Sequence, residues 1–247
     1  IWSNLGVLHR AKGRHQMALR AQRWANALRP DSAGLQNNLA NILSDLGQYE
    51  ESLRLRRGLL ADDPKNLNQL SMVGRCLRGQ GHYVEAIDHL QTALGSFPDD
   101  PELRIQLAFA QLGAGEYADG FENYKARWQG AELSPRKMPM PEWQGEELDG
   151  KTILVLPEQG FGDAILFARF LPMLDGLGVT VKLLCEKPLL RLFSGIAGAG
   201  EIVTSVQDAS NADYWVNMLD LAVLHFGGVG VVPPPATLAI PQDSVDR

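Results

Sequence analysis

The 247-residue sequence predicts an array of helical hairpins followed by a small parallel α/β domain. Four glycines recur at 34-residue intervals, and three prolines keep the same spacing. A fixed interval of this length is typical of stacked helical repeats. From residue 152 onward, short apolar runs alternate with stretches of helical period, as in a parallel sheet covered by helices. The recurring residues are Gly13, Gly47, Gly81 and Gly115, with Pro30, Pro64 and Pro98.

Each repeat unit is predicted to fold as two antiparallel helices. Glycine accepts the left-handed backbone that ends a first helix, and proline ends the second helix. An aromatic ring or histidine follows each glycine, and a small residue then allows the two helices to pack closely. These positions are His15, Tyr49, Tyr83 and Tyr117, and Ala18, Ser52, Ala86 and Gly120.

The repeats resemble the tetratricopeptide repeat, whose pattern is W-x₂-L-G-x₂-Y, then A, then P. The first unit shows this pattern with Trp2, Leu5, Gly6, Ala18 and Pro30. The resemblance implies a helical superhelix of about four repeats over residues 1–128. It also implies a concave groove, lined by the first helix of each pair, that binds a protein or peptide.

Asparagines mark one face of the second repeat. Asn37 and Asn41 lie four residues apart and share a helix face, and Asn38 is adjacent. The segment 37–43 resembles the repeats of the O-linked N-acetylglucosaminyltransferases, in which asparagines hold the backbone of a protein substrate. That resemblance implies a peptide-binding role for all three, because an amide both donates and accepts hydrogen bonds. The alternative is that they are solvated or form hydrogen bonds between repeats.

Arg75 and Arg78 occupy the corresponding face of the third repeat. They are candidates for contact with an acidic partner in the groove. An ordinary solvated basic face is the alternative interpretation.

The second half of the chain predicts a Rossmann-like parallel sheet at residues 151–247, after a linker at 129–150. Proline and charge in the linker give it little helical period. The predicted strands are 152–157, 179–185, 201–204 and 213–218, and the predicted helices are 164–174, 187–196 and 219–226.

A glycine-bearing turn follows the first predicted strand. Gly160 and Gly162 open a helix, as in the dinucleotide-binding fingerprint. Two residues argue against that interpretation. Ile165 stands where a third glycine is needed, and Asp163 places a carboxylate at the helix end that would receive a phosphate. Dinucleotide binding is therefore the weakest of three functional hypotheses.

Residues 143–172 resemble the N-terminal domain of GT-B glycosyltransferases, especially the tetratricopeptide-fused relatives of the heptosyltransferases. The Gly-Asp pair at 162–163 carries most of the resemblance. It implies that Asp163 is the general base for an acceptor hydroxyl. The alternative is that Asp163 only caps its helix. The residues implied to shape the acceptor loop are Glu158, Gln159, Gly160 and Gly162.

The resemblance predicts an N-terminal fragment of a tetratricopeptide-fused glycosyltransferase, catalytically silent alone. In GT-B enzymes the nucleotide-sugar donor binds mainly to a second Rossmann-like domain, which we expect to be missing from this chain. No cofactor is therefore expected here. The competing hypothesis is a non-catalytic tetratricopeptide scaffold for protein interaction.

Composition limits the remaining functions. The net charge of −6 argues against general nucleic-acid binding, which needs a basic face. Only Cys76 and Cys185 occur, so we expect no disulfide framework and a reducing, cytoplasmic setting. The sequence predicts neither a membrane span nor a metal site, and it leaves the oligomeric state open.

Overall fold

The computed structural model describes residues 1–130, 133–228 and 230–240. The chain divides into two compact units, Ile1–Ser134 and Pro135–Arg247. The boundary between them lies inside the segment that the sequence predicts to be a linker.

The described part of the first unit contains eight α-helices arranged as four hairpins. The first helices of the hairpins are α1, α3, α5 and α7, and the second helices are α2, α4, α6 and α8. A short 3₁₀ helix, Lys125–Gln129, follows the last hairpin. The bounds are α1 Trp2–Ala11, α2 His15–Leu28, α3 Ala33–Asp45, α4 Tyr49–Asp62, α5 Leu67–Gly79, α6 Tyr83–Ser96, α7 Pro101–Ala114 and α8 Tyr117–Tyr124.

The recurring glycines end the first helices, as the sequence predicts. Gly13, Gly47, Gly81 and Gly115 have φ of 68°, 72°, 78° and 85°. An L-residue avoids this left-handed region, so glycine at these turns fixes where each hairpin reverses.

Aromatic rings join successive repeats. A Cβ on Gly79 would clash with the ring of Tyr49, and a Cβ on Gly113 would clash with the ring of Tyr83. Each ring comes from the second helix of one repeat and packs on the first helix of the next. The small residues Ala18, Ser52 and Ala86 are fully buried and let the two helices of a hairpin approach closely.

The described part of the second unit contains a four-stranded parallel sheet in the order β3-β2-β1-β4. The central strand β1 is almost entirely buried, as expected for a parallel strand covered on both faces. The apolar runs of the sequence predict all four strands. Their bounds are β1 Thr152–Leu156, β2 Thr180–Leu184, β3 Glu201–Val203 and β4 Tyr214–Asn217.

The helices of this unit differ more from prediction. The predicted helix 164–174 is a seven-residue helix α9, Phe161–Phe167, continued by a 3₁₀ helix, Ala168–Leu174, that accommodates Pro172. The predicted helix 187–196 is wrong, because only Lys187–Leu189 form a 3₁₀ turn. Its apolar spacing reflects burial of Phe193 and Ile196 in a chain that turns at the left-handed Gly195. The last helix, α10, spans Asp220–Gly228.

The chain before β1 packs into the second unit. Met140, Trp143 and Leu148 are buried. The backbone N–H of Trp143 donates to the carbonyl of Trp215 in β4 at 2.8 Å, and Trp215 N–H donates to the carbonyl of Pro141 at 3.0 Å. These two bonds place a short extended segment beside β4.

Candidate functional site

Two candidate sites follow from the fold, one in each unit. The first is the first-helix face, which we define as the surface formed by α1, α3, α5 and α7. The second is the loop region at the carboxyl ends of β1 and β4.

The three predicted asparagines lie on the first-helix face, and each bonds a neighbouring helix. Asn38 Nδ2 donates to Ser3 Oγ at 3.3 Å, and Asn37 Oδ1 accepts from Gln69 Nε2 at 2.9 Å. These bonds join successive repeats, as the alternative interpretation of the sequence predicts. Asn41 accepts a third bond from Arg56, described next. Each asparagine keeps one amide atom outside these bonds.

Arg56 is fully buried between three helices. Its guanidinium donates to Asn41 Oδ1 at 2.7 Å, to Gln69 Oε1 at 3.2 Å and to Ser52 Oγ at 3.3 Å. No carboxylate lies within ion-pair distance of it among the described residues. Burial lowers the pKa of Arg56 from its ordinary value. These hydrogen bonds join α3, α4 and α5, and each of their acceptors is a neutral oxygen.

Arg75 and Arg78 lie together on α5 of the same face. Both side chains are half-buried. The Arg78 guanidinium carbon lies 5.2 Å from the centre of the Phe109 ring of α7, a cation–π distance. Its Nε is buried and has no hydrogen-bond partner in the described structure. Burial lowers the pKa of Arg78, and the nearby charge of Arg75 lowers it further.

A third arginine of this face has a carboxylate partner. Arg10 Nε, on α1, donates to Asp45 Oδ2 at 2.5 Å, and its NH2 group donates to Asp45 Oδ1 at 3.2 Å. This two-pronged contact raises the pKa of Arg10. Arg10 is therefore neutralised within the chain, in contrast to Arg75 and Arg78.

The second candidate site begins in the loop after β1. Glu158 is buried, and Gln159 adopts a left-handed backbone with φ of 60°. A non-glycine residue in that region is strained, and such strain concentrates at functional sites. Gly160 and Gly162 are exposed, and Asp163 is half-buried. Asp163 Oδ2 accepts a 3.2 Å bond from the N–H of Gly160, so this carboxylate caps the start of α9.

Two residues adjoin this loop that the sequence prediction missed, Asn217 at the end of β4 and Asp220 at the start of α10. Asn217 is buried opposite Leu156, the last residue of β1, and its Nδ2 donates to Asp220 Oδ2 at 3.0 Å. Asn217 Oδ1 is buried and unpaired among the described residues. The strand order reverses between β1 and β4. In open parallel sheets this reversal creates the crevice in which ligands bind.

Two further properties concern the described residues as a whole. No helix among them is both long and apolar enough to cross a membrane. The same residues hold no group of three or more His, Cys, Asp or Glu side chains placed to bind a metal ion.

The helical unit contains tetratricopeptide repeats. Two profiles described as tetratricopeptide repeat match residues 32–60 and 77–120. The first range covers α3 and α4 up to residue 60, and the second covers the end of α5, all of α6 and α7, and the start of α8. Tetratricopeptide arrays are protein-interaction scaffolds whose repeats line an extended surface.

Two curated proteins are similar in sequence. Protein FlbA of Caulobacter vibrioides is 30% identical over 207 residues, which cover 77% of this chain and 33% of FlbA. Protein O-mannosyl-transferase TMTC1 of Homo sapiens is 29% identical over 133 residues, which cover 52% of this chain and 15% of TMTC1. The chain thus matches a third or less of the length of either relative.

Solved tetratricopeptide proteins are also similar. TTC0263 of Thermus thermophilus has a TM-score of 0.47 and 22% identity, covering 53% of this chain and 74% of that protein. A tetratricopeptide repeat protein of Parabacteroides merdae also has a TM-score of 0.47, with 21% identity over 52% of this chain and 50% of that one.

Proposed function

We propose that the repeats bind an extended segment of a partner protein on the first-helix face. The observation that carries this proposal is the row of polar side chains along α3 and α5. Asn37 and Asn41 each keep an amide N–H₂ that makes none of the bonds described above, and Arg75 and Arg78 lie on the next helix of the same face. Amides and guanidinium groups suit recognition of a peptide backbone and its side chains.

This proposal is tested by selecting peptides from a random 12-residue library on the intact chain. Binding peptides should shift the backbone amide NMR resonances of α3, α5 and α7. The matched control surface is the outer side of α2, α4 and α6, which should remain unperturbed. Shifts confined to the second helices, or failure to select any peptide, would contradict the proposal.

For the second unit we propose the acceptor-side half of a GT-B glycosyltransferase. The order β3-β2-β1-β4 is that of the first four strands of a doubly wound nucleotide-binding sheet. Asp163, in the first turn of α9, and the Asn217–Asp220 pair, between the end of β4 and the start of α10, lie at the carboxyl ends of the two strands that flank its switch point. The similarity to TMTC1, named as a protein O-mannosyl-transferase, agrees with transfer of a sugar to a protein.

In this mechanism Asp163 accepts the proton of an acceptor hydroxyl as that oxygen attacks the anomeric carbon of the donor sugar. The nucleoside diphosphate leaves with the bonding electrons, and its donor site lies on a further domain. A carboxylate suits proton transfer when it lies within hydrogen-bond reach of the hydroxyl. Asp163 Oδ2 caps the loop, and Oδ1 makes no hydrogen bond among the described residues.

The test uses the natural polypeptide, a panel of radiolabelled nucleotide sugars and the peptides selected above. Asp163→Asn retains an oxygen that can cap Gly160, so its melting temperature should stay within about 2 °C of the parent. The same variant should lose sugar transfer by a factor of at least about 100. Transfer at the parental rate would exclude Asp163 as the base.

The runner-up function is a non-catalytic scaffold in which the α/β unit only stabilises the chain. The bond from Gly160 N–H to Asp163 favours it, because a helix cap alone accounts for the aspartate. No transfer with any sugar, combined with intact peptide binding, would select the scaffold.

A further inference from the structure

We propose that the segment bound on the first-helix face is acidic, and that its carboxylates pair with Arg75 and Arg78. This inference rests on the proposed peptide-binding function and names the chemistry of the partner. It comes from comparing two arginines that occupy equivalent positions of the repeat.

Arg10 and Arg78 are 68 residues apart, which is two repeats of 34. Both lie near the end of a first helix on the same face. Arg10 bonds Asp45, 35 residues further along the chain. The residue 35 positions after Arg78 is Gly113, so the equivalent carboxylate does not exist.

The chain also has no space for a carboxylate at that position. A Cβ on Gly113 would clash with the ring of Tyr83. Phe109, one turn earlier on α7, supplies a ring face to the Arg78 guanidinium in place of an ion pair. Arg78 is therefore held in a fixed place but not neutralised.

The charges around Arg78 increase its difference from Arg10. Arg75 lies on the same helix face three residues away, and its charge adds to that of Arg78. The carboxylate of Glu102, at the start of α7, accepts from Ser71 at 3.1 Å and from Gln106 at 3.0 Å. No carboxylate lies within ion-pair distance of either arginine in the described ranges.

An external acid would meet a favourable site. Two adjacent guanidinium groups raise the local potential, and partial burial strengthens a charge-assisted bond relative to water. An acidic segment should therefore bind beside Arg75 and Arg78.

The experiment determines the composition and affinity of peptides selected from the random library. Selected peptides should be enriched in Asp and Glu at least about twofold over the library. In fluorescence anisotropy, Arg78→Gln should weaken the best peptide at least about tenfold, as loss of one charge-assisted bond predicts. Replacing each Glu of that peptide by Gln should weaken it similarly.

The matched control is Arg23→Gln, the same change at an exposed arginine of α2 that pairs with Glu51 at 2.9 Å. It should alter affinity less than about twofold, because Arg23 lies outside the first-helix face. Arg78→Lys keeps the charge and should restore part of the affinity, which separates charge from a general loss of structure. Circular dichroism of each variant checks that the repeats remain folded.

The possible negative results distinguish this inference from the proposed peptide-binding function. Peptides that bind the first-helix face without acidic enrichment would overturn this inference and leave the proposed peptide-binding function standing. Failure to select any peptide would overturn both. A single-stranded 20-nucleotide DNA that displaces the selected peptide and binds more tightly would also overturn it, because the site would then favour phosphate.

Discussion

Arg56 donates a 2.7 Å hydrogen bond to Oδ1 of Asn41, and this contact links the second helix of one repeat to the first-helix face. The guanidinium is fully buried and is satisfied by neutral oxygens alone. Its removal would leave the oxygens of Asn41 and Gln69 without their donor.

We expect Arg56→Met to lower the free energy of unfolding by about 3 kcal/mol, because buried acceptors lose their partner and the side chain leaves a poorly filled space. Urea unfolding followed by circular dichroism measures the change. The neighbouring Arg57→Met is the control, since Arg57 is exposed and pairs with the exposed Glu85. Its expected loss is below about 1 kcal/mol. Equal losses in the two variants would refute a special role for the buried arginine.

Alanine substitutions at two glycines distinguish the cost of a strained backbone from the gain in helix propensity. Gly81 has φ of 78° at a hairpin turn, whereas Gly58 is an exposed glycine inside α4 with open space around its Cα. Gly81→Ala should destabilise the repeats by about 1–2 kcal/mol, and Gly58→Ala should stabilise them by about 0.5–1 kcal/mol. Thermal unfolding of the two variants should therefore give melting temperatures displaced in opposite directions.

Gly113 and Tyr83 should be energetically coupled. Gly113→Ala forces a methyl group toward the Tyr83 ring and should cost about 2 kcal/mol. In a Tyr83→Ala background the same substitution has space and should cost less than about 1 kcal/mol. A double-mutant cycle from urea unfolding measures the difference. Additive effects would show that the ring moves away without penalty.

The thiol of Cys185 should make the stability of the α/β unit depend on pH. Burial raises the pKa of its thiol, and the charge of Glu186 raises it further. The folded state therefore holds the proton more tightly than the unfolded chain. The associated stability is complete below the unfolded pKa of about 8.5 and is lost as pH rises through the folded pKa.

The measurement is the free energy of unfolding from about pH 7 to 10, followed by tryptophan fluorescence, to which Trp143 and Trp215 of the α/β unit contribute. The free energy of unfolding should fall above about pH 8.5. In Cys185→Ala this fall should be smaller, because the thiol no longer contributes to it. Cys76→Ala, in the repeat unit, leaves Cys185 in place and should keep it. A parental pH profile in Cys185→Ala would contradict the assignment.

The repeats could be predicted because glycine and proline act locally. A left-handed turn at Gly47 or a helix end near Pro64 depends on the residue itself, so its spacing in the sequence is also its spacing in the structure. The strands were similarly visible, because the buried run 152–156 is apolar without interruption. The failed helix at 187–196 shows the limit, since apolar spacing reports burial of Phe193 but not the backbone that buries it.

Site residues were harder to predict where they depend on contacts between repeats. The asparagines were visible as a helical face, but their bonds to Ser3 and Gln69 require the register of neighbouring hairpins. Arg56 belongs to a second helix, and nothing in its local sequence shows that it reaches Asn41. Asn217 becomes a candidate only when β4 is known to lie beside β1.

The segment 141–143 beside β4 has a practical consequence for how this chain can be divided. A strand edge with free N–H and C=O groups invites pairing with another molecule. The bonds between Trp215 and the backbone of Pro141 and Trp143 occupy part of that edge, and the opposite edge strand, β3, is only three residues long. A truncated protein that begins at residue 151 would expose both Trp215 and its backbone. Its tendency to aggregate would then reflect the chosen starting point and not the intrinsic stability of the sheet.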